Sequence, residues 1–156
     1  MEASKLDPII KWKTLVGLLF NYIISVHKVI SDKVDAKTVD EIQKKLAIDF
    51  WAEQAQAFIE LFDLQPGSLM DAHALKRIFA TLFDIKYTTI VENENEIADE
   101  MEYSSCPFRV ALEPLWTEIC RACEFIGQLF IQKLDPHFKH QVEIKGAYCL
   151  HKTMQK

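Results

Sequence analysis

Apolar residues recur every three or four positions at the start of the chain: Ile9, Ile10, Trp12, Val16, Leu19, Phe20, Ile23 and Ile24. That is the period of a helix. Asp7 is a natural cap, and Pro8 suits a first turn because its missing N–H has no partner there anyway. Ser31-Asp-Lys-Val-Asp breaks the pattern. A second helix is predicted from Ala36 to Phe62, with Val39, Ile42, Leu46, Phe50, Ala57, Ile59 and Leu61 on its apolar positions. Gln65-Pro-Gly-Ser reads as a turn. A third helix runs to Phe83 and presents Leu69, Leu75, Ile78, Phe79 and Leu82.

The period then changes. Lys86-Tyr-Thr-Thr-Ile-Val is β-branched and aromatic, as strands are. Asn93-Glu-Asn-Glu is polar and turn-like, and Ile97, Met101 and Tyr103 alternate beyond it, with Asp99 as the one mismatch. This predicts a β-hairpin. A long helix is expected from Ala111 to Leu134, closed by Asp135-Pro136, with a seam of Leu112, Trp116, Ile119, Cys123, Ile126 and Phe130. Val142, Ile144, Gly146, Tyr148 and Leu150 then alternate as one final strand, which places Cys149 on its opposite face. Three helices, a hairpin, a long helix and a strand make an α+β domain, with helices covering a small antiparallel sheet. One domain over 1–156 is expected, with a helical lead-in at 7–84 and a ligand-binding-like part at 86–152.

The 156 residues are 49% hydrophobic and 26% charged, enough for a sizeable core. A net charge of −5 without a basic run argues against nucleic acid as partner. The most apolar stretch, Leu15 to Val26, is interrupted by Asn21 and Ser25, so no bilayer span and no membrane partner are expected. Lys5, Lys11 and Lys13 precede it, but Glu2 and Asp7 dilute them, and no small-residue cleavage site follows. Four cysteines without a secretory signal point to reduced thiols and a cytoplasmic location. Leu15, Val16, Leu18, Leu19, Phe20 and Tyr22 span more than one face of the first helix, so a homodimer through that helix is expected.

The chemistry concentrates in the last third. Cys106, Cys120 and Cys123 lie within 18 residues, and Cys149 follows. Cys120 and Cys123 have a zinc-like gap but sit inside a predicted helix. If zinc binds, all four thiols must converge in space, because their spacing alone is no ordinary zinc pattern. Otherwise they pack as small hydrophobes, as Cys123 on the apolar seam suggests. Cys120 shares an edge with Trp116 and Gly127, and Gly127 would let a backbone or a ligand come close. Cys106 precedes Pro107 near a helix start, where unpaired amides favour a thiolate. If the helix begins only at Glu113, with Pro114 in its first turn, Cys106 is too distant for that. Cys149 and His151 share a strand face, as a nucleophile and base pair or two ligands would, although such a face is more often solvated. Glu118 and Glu124 are the nearest carboxylates and candidate acids or bases, although a solvated helix surface is the more ordinary place for them.

Cys106-Pro107, a helix carrying Cys120, Leu134-Asp-Pro-His-Phe-Lys and a late Gly146-Ala-Tyr148-Cys149 resemble the L-2-amino-thiazoline-4-carboxylic acid hydrolase-like family. They are similar, more distantly, to the 4-vinyl reductase type of ligand-binding domain. The resemblance covers residues 40 to 152 and includes Phe50-Trp51 and the Leu64-Gln-Pro-Gly turn. It implies a small α+β module in which Cys106, Cys120 and Cys149 are shared positions and Cys123 is an addition. The implied activity is hydrolytic opening of a small sulfur heterocycle.

Three readings follow. A small-molecule hydrolase would use Cys106, Cys149, His151 and Glu118, with Cys120, Trp116, Gly127 and Tyr148 against the ligand. A non-catalytic sensor would hold a small ligand in an apolar cavity lined by some of the helix aromatics. An interaction subunit would act through the first helix.

Overall fold

The computed structural model of the chain describes residues 7–112 and 119–156, without the side chains at positions 47, 52, 111, 112 and 119. The chain divides into two compact units, Met1–Val39 and Asp40–Lys156. The first carries α1 (Pro8–Ser31), capped by Asp7, whose carboxylate accepts the Ile9 N–H at 2.7 Å. At 24 residues α1 is longer than the apolar stretch counted from the sequence, and by length and composition alone it meets the requirement for crossing a bilayer.

α2 (Ala36–Leu46) passes from one unit to the next. The single helix predicted to Phe62 is broken: Ala47–Trp51 form a wider, π-type turn before α3 (Ala52–Leu61). The extra residue in that turn re-aims the chain. Trp51 thereby packs 5.5 Å from Phe79 and 5.9 Å from Phe130. α4 (Leu69–Leu82) starts at Ser68, whose hydroxyl accepts the Asp71 N–H. α3 and α4 both end on an aspartate in the left-handed region, Asp63 (φ 51°) and Asp84 (φ 54°). Each is a cap that lets the next amide bond back to the helix.

The fold is α+β, with a four-stranded antiparallel sheet in the order β1 (Tyr87–Glu92), β2 (Glu96–Glu102), β4 (Tyr148–Gln155), β3 (Phe138–Lys145). The predicted first hairpin is β1–β2. The single final strand is instead a second hairpin. Gly146, at φ +56°, turns the chain, and Ile144 pairs with Cys149 while Val142 pairs with His151. Directly paired residues share a face. Cys149 and His151 therefore lie on the same face as Val142 and Ile144, not the opposite one.

That face carries Ile97, Asp99 and Met101 of β2, Cys149, His151 and Thr153 of β4, and Phe138, His140 and Val142 of β3. α4 and α6 (Ile119–Leu134) pack on it, and α5 (Pro107–Leu112) packs against α6. The long helix expected over 111–134 is thus present as α6 from Ile119, and α5 starts earlier, at Pro107. Trp116 and Glu118 lie outside the described residues.

Two buried clusters meet under the helices. One joins Leu69, Leu75, Ile97, Phe130, Ile131 and Phe138 with partly buried Trp51, Phe58 and Phe79. The other joins Ile85, Met101, Tyr103 and Cys149 with Phe83, Cys106, Cys120 and Val142.

Asp99 is no mismatch in its strand. It is fully buried, accepting from Arg77 Nε at 2.8 Å and lying 2.8 Å from His73 Nε2, while His73 Nδ1 lies 2.9 Å from Thr153 Oγ1. Burial opposes its charge, but the bonds from His73 and Arg77 hold its carboxyl well below the usual range. This polar network ties α4 to β2 and β4.

Candidate ligand cavity

Between α4, α5, α6 and the helix-facing side of the sheet lies a cavity of about 130 Å³. It is of the order that holds a single six-membered ring. Phe79, Ile126, Phe130, Met101 and Val142 form apolar walls. Phe79 and Phe130 meet edge-on at 5.3 Å, which stiffens that side. Phe58 and Phe62 do not line it, and Phe62 is exposed.

The polar groups facing this apolar space are few. Lys76 of α4 reaches in and donates from Nζ to Cys123 Sγ at 3.1 Å. Burial opposes its charge, but Cys123, with smaller contributions from Cys149 and Cys106, holds the ammonium above its ordinary value. Among the described residues its other N–H groups have no partner. Tyr103 lies under the Arg109 guanidinium, 3.6 Å from the ring centre, and its hydroxyl is buried. Burial pushes that hydroxyl's pKa up.

Cys149 and His151 are together, Sγ to Nε2 at 3.2 Å, and His151 Nδ1 is 3.3 Å from His140 Nε2. They are buried rather than solvated. Burial pushes the Cys149 thiol up to about 12 and holds His140 at about 3, with His151 well below the usual imidazole value. The pair is therefore a neutral thiol beside a neutral imidazole, not an ion pair poised for attack.

Cys106 sits immediately before α5 and also faces the cavity. Burial raises its thiol, outweighing the nearby Arg109 amide. Cys120 lines the cavity too. Gly127 lines the cavity, and the His140 ring fills the space a side chain there would need: a Cβ would lie 2.5 Å from His140 Cδ2. Tyr148 faces away, pairing with Glu102 and Lys145 on the other side of the sheet. Strand alternation places it opposite Cys149.

All four cysteines are free thiols. Among the described residues no three His, Cys, Asp or Glu side chains are placed to hold a metal ion, so the zinc set of Cys106, Cys120, Cys123 and Cys149 is not assembled there.

Lys76, Tyr103, Arg109 and His140 were not singled out from the sequence. Lys76 did carry a signal, since it sits beside Leu75 and three residues before Phe79 on the apolar side of α4. No local pattern pairs it with Cys123.

No protein-family model matches the chain, and no curated protein is found similar to it.

Proposed function

We infer that the chain is a small-molecule-binding protein whose cavity takes a ring-sized, largely apolar ligand with an anionic group at Lys76. The observation that carries this is the Lys76 ammonium reaching into the cavity. Among the described residues its three donors have one sulfur as acceptor, and apolar walls lie around it. The N–H groups not given to Cys123 are charged donors that an anionic group of a ligand would take.

Titration calorimetry with benzoate and with benzene tests this. Benzoate is expected to bind at least about tenfold tighter than benzene, and Lys76→Met to abolish the difference. Failure of both to bind removes the reading.

Hydrolysis is the second reading, supported by the 3.2 Å contact between Cys149 and His151 and by the resemblance to the thiazoline-carboxylate hydrolase-like family. Its cost is forming a thiolate from a thiol pushed up to about 12. It requires turnover of a thiazoline carboxylate that rises with alkaline pH and disappears in Cys149→Ser. Binding without turnover favours the non-catalytic sensor.

A further inference from the structure

Building on the reading of this cavity as a ligand site, we propose that Cys123 is a covalent capture site for small α,β-unsaturated carbonyl compounds, with Lys76 as the acid that completes the addition. Cys123 Sγ accepts from the Lys76 ammonium at 3.1 Å, inside a cavity with apolar walls. An ammonium at that distance is the counter-charge a thiolate nucleophile requires.

Three features select a conjugated carbonyl. Sulfur is a soft nucleophile and adds to the soft β-carbon of such compounds. The oxygen that gains charge during addition needs preorganised donors in a dry site. Among the described residues Lys76 has N–H groups beyond the one given to Cys123, and it lines the same space. The apolar walls seat the hydrocarbon remainder, within about 130 Å³.

The step balances without an oxidant, a reductant or a leaving group. The sulfur electron pair forms the C–S bond to the β-carbon, and the π electrons move onto the carbonyl oxygen as an enolate. Lys76 gives up a proton that ends on the α-carbon. A thioether and a neutral amine result, and the amine regains its proton from water. Cys106 and Cys149 compete poorly, because burial keeps both as thiols at neutral pH.

The test treats the full chain at neutral pH with cyclohex-2-enone and follows adducts by intact mass and peptide mapping. Cys123 is expected to be modified at least about tenfold faster than any other thiol. Lys76→Met should slow this by about tenfold, Lys76→Arg should restore part of the rate, and benzoate should protect. Comparable rates at two or more thiols overturn the proposal, as does an unchanged Cys123 rate in Lys76→Met. The site ratio in the unmutated chain decides the matter if Lys76→Met does not fold. Benzoate binding with Cys123 left unmodified defeats the capture site and spares the ligand reading. Neither binding nor modification defeats both.

Discussion

The imidazole of His140 occupies the space that a side chain at Gly127 would need, with Cδ2 at 2.5 Å and Nε2 at 2.8 Å from the position of a Cβ. The ring cannot yield freely, because Nε2 is also held 3.3 Å from His151 Nδ1. Gly127→Ala gains about 1 kcal/mol of helix propensity but meets an overpacked ring, a cost of roughly 1–3 kcal/mol. The expected net result is a lower urea midpoint with unchanged slope. An increase in stability would show that the ring has room to move.

Folding should weaken below neutral pH. In the unfolded chain His140 and His151 take up protons near the ordinary pKa of about 6.5. In the folded state burial holds His140 at about 3 and His151 well below its usual value. Below about pH 6.5 the unfolded state binds more protons, so stability falls as pH falls, fully present above that value and lost progressively toward about pH 3. The slope is at most about 1.4 kcal/mol per pH unit for each histidine. Denaturation midpoints from pH 7.5 to 5 measure it. His140→Gln should remove roughly one histidine's share. A flat profile contradicts the neutral burial of both rings.

Asp99 and Glu92 both bond Arg77, and their mutants should differ sharply. Asp99→Ala strips a fully buried partner from Arg77 and His73, at about 3–5 kcal/mol. The Glu92 side chain is 49% exposed, and Glu92→Ala should cost less than about 1 kcal/mol. Guanidinium denaturation of both variants compares them directly. Equal losses would mean that the network does not depend on its buried carboxylate.

Gly146→Ala tests the second hairpin. At φ +56° an alanine is strained by roughly 1–2 kcal/mol, although nothing lies within 4 Å of a Cβ there. The variant should lose that much stability. An unaffected midpoint would mean that the turn relaxes.

Much of the architecture was legible because it is written locally. Ile97, Met101 and Tyr103 alternate, and the helix-period residues of α4 repeat, whatever lies opposite them. The second hairpin was missed because Gly146 also fits an alternating pattern, so one strand and two look alike until the chain reverses. The break at Ala47–Trp51 was hidden because a π-type turn shifts periodicity by only one residue. The site was legible in part: the pattern put Cys149 and His151 on one face. Gly127 was noticed for its missing side chain, yet what fills the space is a histidine from β3.

The order of apolar and polar positions was sufficient by itself to specify an α+β chain with helices at one end and strands toward the other, because period and side-chain direction are set within a few residues. Only tertiary packing decided that Lys76 meets Cys123, 47 positions away, in an apolar hollow. A lysine near the apolar side of a helix normally extends its stem to water. Whether its charge ends in solvent or beside a sulfur depends on which helix lies across from it, and that is settled by the summed burial of the whole core.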